Sequence, residues 1–203
     1  MPTIVELIIV DLKEGVGKDD ATLKKLREGA AKGGLKRQSY GLSIEHPSKL
    51  YWALFFENGF ELKDFKWPAE EYGSFADQLK TVSTSDFTRY FVTFDDVPSK
   101  ITDAPVTETA IATLKTDTNV PKFKEAQDAV VAKLLSAPGV HAAAYAVTAE
   151  AGSQAVLLLL VGWDSVEAHK ALRAVPGSEA LLAPIHAALD KIDVAHVPFT
   201  NQA

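Results

Sequence analysis

The sequence contains no cysteine among its 203 residues. That absence removes thiol nucleophiles, thiolate zinc sites, iron–sulfur clusters and disulfide frameworks together, so any chemistry here uses oxygen and nitrogen groups. Long hydrophobic runs are absent too: no uninterrupted apolar stretch exceeds seven residues, as in 155–161, far below the roughly 20 that a bilayer-crossing helix needs. No membrane partner is expected. Glu6 and Asp11 interrupt the first apolar stretch and no basic run precedes it, so it does not read as a secretory signal and a cytoplasmic protein is expected. Positive charge is in deficit, 21 basic against 27 acidic side chains for a net charge of −6, which argues against nucleic acid as a partner. The G-x-G-x-x-G, P-loop, H-E-x-x-H and G-x-S-x-G patterns are missing, and with them the chemistries they mark. Gly29 to Gly34 is glycine-rich, but it falls at a helix end, where the dipole repels phosphate.

What is present is an ordinary globular composition, 47% hydrophobic and 24% charged, in a chain long enough to bury about 70% of its unfolded surface. Compared with itself at an offset of 105, the sequence places Gly34 on Gly139, Tyr40 on Tyr145 and Glu45 on Glu150. Leu35 then meets Val140, Val92 meets Val197 and Phe94 meets Phe199. A period near half the chain length points to two copies of one small domain.

The order of elements repeats as well. In the first half 3–10 reads as a strand, Asp20 caps a helix with Leu23, Leu26 and Ala30 on one face, and Gly33-Gly34 stops it. Runs 35–44 and 50–56 form a hairpin around Glu45-His46-Pro47-Ser48, 60–79 is helical with a break near Pro68, and 87–94 is a fourth strand. In the second half 106–114 is a strand and Pro121 opens a helix that Pro138-Gly139 ends. A hairpin of 140–147 and 155–161 turns at 149–153, a helical stretch 165–189 breaks near Pro176-Gly177, and 192–199 closes the half. The fold class expected is α+β, with β-α-β-β-α-β ferredoxin-like repeats over 1–96 and 106–203 and a linker over 97–105. A sheet with helices on one face leaves its other face to be covered, and a second copy supplies the cover. The expected architecture is an intrachain pseudo-dimeric α+β barrel.

The helix end Pro138-Gly139-Val140 leading into a strand with Tyr145, and the block Val161-Gly162-Trp163-Asp164-Ser165-Val166-Glu167-Ala168-His169, resemble the dimeric α+β barrel proteins, and within them the antibiotic biosynthesis monooxygenase-like domains. The first half keeps the outline, with Phe56 to Phe60 at the equivalent place. The resemblance implies a pocket between the sheet and the helices of one half. It also implies a choice of activities: oxidation of aromatic polyketides without metal or flavin, cyclisation, decarboxylation, haem degradation, or no reaction at all. Fold alone does not select among them.

The halves differ in their chemistry-bearing residues: 14 of the 18 aromatics lie in the first, four of the five histidines in the second. Histidine is the proton shuttle of neutral pH, so the second half is the candidate for proton transfer, and aromatic rings suit a flat substrate. His169 is either a catalytic base or a helix residue that holds the turn before it. His196 shares the alternation of Ile192 and Val194, which aims it inward if that face is inner; the alternative is a strand histidine satisfied by a neighbour. His186, in mid-helix, is a haem ligand or part of a polar face, while His141 and His46 sit beside turns and are expected in solvent. Trp163, Tyr51 and Trp52 line a pocket or fill a core, and Tyr145 shares with Tyr40 a structural need or a substrate contact. Arg89 in an apolar strand anchors a carboxylate or phenolate, or points to water beside Thr88.

The function expected is a small cofactor-independent monooxygenase-like enzyme that deprotonates a phenolic or polyketide-like molecule. His169 or His196 is the base, and Trp163, Tyr51, Trp52, Tyr145 and Arg89 bind substrate. The alternatives are a non-catalytic or stress-associated barrel holding a hydrophobic ligand, a polyketide cyclase or decarboxylase, and a barrel that binds haem through His186 or His169. No metal and no cofactor is expected. The partner is a small aromatic or hydrophobic molecule, with a second copy of the chain as candidate for a homodimer of pseudo-dimers.

Overall fold

The computed structural model describes residues 2–148 and 154–202, and the turn expected at 149–153 lies outside them. The chain divides into two compact units, one taking the chain through Phe91 and again from Val197, the other running from Val92 to His196.

The first unit is built from β1 (Thr3–Asp11), α1 (Ala21–Lys32), β2 (Gln38–Leu42), β3 (Lys49–Phe56), α2 (Ala69–Tyr72), α3 (Phe75–Val82) and the first part of β4 (Thr88–Phe94), which runs on past the unit boundary. The second comprises β5 (Val106–Leu114), α4 (Val120–Leu135), β6 (Val140–Thr148), β7 (Val156–Trp163), α5 (Val166–Arg173), α6 (Ser178–Ala188) and β8 (Leu189–Val197). A last short strand, β9 (Thr200–Gln202), pairs with β2 and so joins the first sheet. The sheet orders are β4-β1-β3-β2-β9 and β6-β7-β5-β8. Each unit therefore sets its first and third strands side by side in the middle, the order of a ferredoxin-like sheet.

Local chemistry explains the helix boundaries. The Asp20 carboxylate accepts from the Thr22 amide at 2.8 Å and starts α1, which turns Leu23, Leu26 and Ala30 into the core. Asn119 accepts from the Lys122 amide at 3.1 Å and starts α4, with Pro121 in the first turn where its missing N–H costs nothing. Ser165 does the same for α5, accepting from the Ala168 amide at 3.1 Å. Of the stretch 60–79 read as helical, 60–68 holds only a 3-10 turn at Leu62–Asp64, and the helices α2 and α3 follow Pro68 with Gly73 between them; 165–189 breaks before Ser178, as Pro176-Gly177 predicts.

Gly34 and Gly139 carry left-handed backbone, φ +114° and +81°. A Cβ on Gly34 would stand 2.7 Å from the Phe60 ring, and one on Gly139 2.9 Å from the Ala168 Cβ. Both positions thus need glycine for conformation and for space. The strand registers align the units further: Tyr40 faces Trp52 and Tyr145 faces Leu159, each partner lying four residues before its strand's last residue, Phe56 or Trp163.

In the second unit the core forms on the helix-facing side of the sheet. Val106, Ala110, Ala112 and Leu114 of β5 and Leu157, Leu159, Val161 and Trp163 of β7 pack with Phe123, Val130, Leu134 and Ile185. Strand alternation gives Glu108 the parity of those β5 residues, and it is only 7% exposed.

Candidate functional site

Between the second sheet and helices α4, α5 and α6 lies a cavity of about 110 Å³. Its walls are mainly aliphatic, with Ala110, Val130, Leu134, Leu157, Leu159, Leu172, Leu181 and Ile185 among them. The space exists because this half is poor in rings. In the first unit Phe60, Phe65, Trp67 and Phe75 pack onto the core, with Phe75 against Trp52 at 5.9 Å and Phe60 stacked on Phe56 at 6.0 Å between centroids. The aromatic surplus read as a substrate platform here fills the helix side of the first sheet.

The buried polar side chains of the lining are Glu108, Gln127, His169 and Ser178. Glu108 and His169 line one wall. The His169 Nδ1 lies 2.8 Å from the His196 Nε2 and 3.6 Å from the Glu108 carboxylate. The Trp163 indole N–H donates to the Glu108 Oε2 at 3.0 Å, and the Trp163 ring stacks under His169 with centroids 5.0 Å apart. Burial drives the Glu108 carboxyl above its ordinary range, opposed by the Trp163 hydrogen bond and the charges of His196 and Arg173. Opposite, on α4, Gln127 is 1% exposed and lines the cavity. Among the described residues its Nε2 finds no hydrogen-bond partner, a costly state for a buried donor unless a guest satisfies it.

Of the residues singled out from the sequence, the fold brings His169, His196 and Trp163 into one cluster. His196 is buried and shares its strand parity with Ile192 and Val194, which line the cavity. Tyr145 stands on β6 and donates its hydroxyl to the Asp128 carboxylate at 2.7 Å and approaches the Lys124 carbonyl at 3.1 Å; burial, with Asp128 close by, pushes its pKa well up. Tyr51, Trp52 and Arg89 belong to the first unit and take no part in this cluster. Tyr51 and Trp52 are buried neighbours on opposite faces of β3, and the Trp52 indole donates to Gln38 at 3.0 Å. Arg89 is ion-paired with Glu6. His141 contacts Asp164 at 2.6 Å in a partly exposed position, and His46 is exposed.

Glu108 and Gln127 escape the sequence reading. The signal for Glu108 is a lone acid in the otherwise apolar and threonine-rich run Val106–Leu114, matched by Glu6 in Thr3–Asp11. Gln127 gives no signal, since a glutamine on a helix is ordinary until its face is known.

Among the described residues no group of three or more His, Asp or Glu is placed to hold a metal ion, and no helix is long and apolar enough to cross a membrane. Of the two residues read as haem ligands, His186 is exposed and His169 is buried in the cavity wall.

No family model matches the sequence, and no curated protein matches it. Solved structures do. A "putative monooxygenase" from Lactobacillus acidophilus is similar over 100% of this chain and 97% of its own, at 12% identity and a TM-score of 0.64. Another of the same description, from Fusobacterium nucleatum, is similar over 98% and 94%, at 9% identity and a TM-score of 0.66. An anthrone oxidase-like protein is similar over 98% and 92%, at 12% identity and a TM-score of 0.60. The chain thus carries two ferredoxin-like sheets and is similar in fold, along its whole length, to these structures.

Proposed function

We propose that the protein is an oxygenase of phenolic or polyketide-like molecules, with the second-unit cavity as its active site and His169 as its base. The observation that carries the reading is the placement of His169: it forms part of an aliphatic cavity wall while its Nδ1 meets His196 at 2.8 Å and Glu108 stands at 3.6 Å. A base in an apolar site acts on a substrate stripped of water, and two further titratable groups can take up the charge it gains.

The reaction that suits this arrangement begins when His169 removes a proton from a phenol or from a CH₂ flanked by aromatic rings or carbonyls. The resulting anion is electron-rich and passes electrons to dioxygen, the co-reactant. For a CH₂ centre the balance is one O₂ consumed, the CH₂ oxidised to C=O and one water released, so that the substrate itself supplies all the electrons. Gln127, through its unpartnered Nε2–H, donates to the oxygen on which the negative charge collects, stabilising the anion in the manner of an oxyanion hole. The similarity to an anthrone oxidase-like protein supports the same class of substrate.

Oxygen uptake by metal-stripped protein against anthrones, hydroquinones and polyketide-like phenols tests this, with His169→Ala and His196→Ala alongside. Uptake by wild type that is lost in His169→Ala is the expected result. Ligands that bind in the cavity and return unchanged would replace the oxygenase with a hydrophobic-ligand-binding protein.

A further inference from the structure

The cavity's mouth has a charge that its interior lacks. Lys133, in the last turn of α4, Arg173, in the last turn of α5, and His186, in the last turn of α6, all line the cavity and are all exposed. Lys133 and Arg173 thus bring two basic helix ends to the cavity, while His186 stands at the far end of it, where Lys115 and Thr118, just before α4, donate to the Ala188 carbonyl. Among the described residues neither Lys133 nor Arg173 is ion-paired, and the one acid lining the cavity is the buried Glu108. Inside, Gln127 offers an unmatched donor from a position 1% exposed. A guest that satisfies both features has an oxygen on a ring within the cavity and an anionic group outside it.

We infer that the substrate is a ring-bearing phenol or enolisable ketone with a carboxylate on a short tail, its ring oxygen accepting from Gln127 and its carboxylate held at the mouth by Lys133 and Arg173. This deepens the proposed function and rests on it for the identity of the site. The division of labour follows from burial. The neutral amide inside can meet an oxygen without stranding a fixed charge in a dry cavity, whereas the cations stay hydrated until a carboxylate arrives. Charge at the mouth also selects among ring compounds that the aliphatic walls alone could not tell apart.

The test uses three probes: 3-(4-hydroxyphenyl)propanoate, its uncharged amide and 4-ethylphenol, each titrated calorimetrically at low salt and pH 7. The proteins are wild type, Lys133→Gln/Arg173→Gln and Gln127→Leu. Wild type is expected to bind the acid about tenfold or more tighter than the amide. In the double variant that preference should fall to about one with the amide's affinity unchanged, and in Gln127→Leu all three probes should weaken together. Equal binding of acid and amide by wild type, or a preference that survives in the double variant, overturns the inference. Should 4-ethylphenol bind in such a case, the cavity remains a ligand site and only the anionic tail is lost. Should none of the three bind, the proposed active site falls with it.

Discussion

Glu6 and Glu108 occupy the same place in their two sheets: each lies two residues past the pair that closes its central ladder, Ile4 with Phe56 and Val106 with Trp163. Burial raises the carboxyl pKa of both. What surrounds them differs. Glu6 is matched by Arg89, a permanent cation, whereas Glu108 has the Trp163 N–H and the His169–His196 pair, partners whose charge can change. One site is locked and the other can move a proton.

This difference predicts a pH signature. A carboxyl whose folded pKa is raised holds its proton after the unfolded chain, near 4.5, has released it. Stability is therefore greatest below that value and falls as pH rises through the window above it. Glu108→Gln keeps an acceptor for the Trp163 N–H and removes the titration. Its Tm should exceed that of wild type at pH 8 and converge with it towards pH 4, by about 2–4 °C for each kcal/mol released. Thermal melts across that range decide it, and a constant difference would place the effect elsewhere.

Trp163→Phe keeps the ring but deletes the donor to Glu108. A buried acceptor left short of a partner costs about 1–3 kcal/mol, so a denaturant titration should register that loss at pH 7. The loss should shrink at low pH, where the protonated carboxyl needs less help.

Catalysis should separate the two histidines. General-base catalysis contributes about 10²–10⁴-fold, and His169→Ala should lose that much in kcat. His196→Ala should lose less but displace the pH–rate profile, since His196 reaches the substrate only through His169.

Filling the cavity should part stability from binding. Ala110 is 3% exposed on its sheet wall, and Ala110→Val adds a β-branched side chain that a strand accepts. The variant should melt within about 1 kcal/mol of wild type, in the range of tolerated core changes, yet bind phenols poorly. Unaltered phenol binding would mean that the ligand sits elsewhere.

Gly34 and Gly139 give a control outside the cavity lining. Gly139→Ala meets both a φ of +81° and the Ala168 Cβ at 2.9 Å, and strained positions of this kind cost about 1–3 kcal/mol. Gly34→Ala, with Phe60 at 2.7 Å, should destabilise similarly. Neither should alter the acid-to-amide preference.

What the sequence made legible divides along physical lines. The strand over 106–114 is seen in full as Val106–Leu114, because a β-branched run between turn residues has few other solutions. The alignment of Gly34 with Gly139 is legible because only glycine suits both backbones. His169 and His196 stand out as rare residue types in unusual settings, and they meet. Their contact was invisible, since it depends on where α5 crosses β8. The cavity was invisible for another reason. A void is what neighbouring side chains fail to fill, and no single residue encodes it; the same ring count that suggested a substrate platform marks the unit whose helix side is filled. The strand expected over 192–199 runs instead from Leu189 to Val197, and Thr200–Gln202 goes to the first sheet. Edge pairing of so short a segment rests on partners distant in sequence, as in the 2.6 Å contact of Ser39 with Asn201.

That edge strand gives the fold a direction in time. Proteins emerge from the ribosome N-terminus first, and domains commonly fold as they appear. Here β1 through β4 can be translated and in place while β2 still lacks the neighbour that Thr200–Gln202 supplies. An uncovered strand edge invites pairing with other chains, so the nascent first unit carries an open seam throughout synthesis of the second. The seam closes only when translation has reached Gln202.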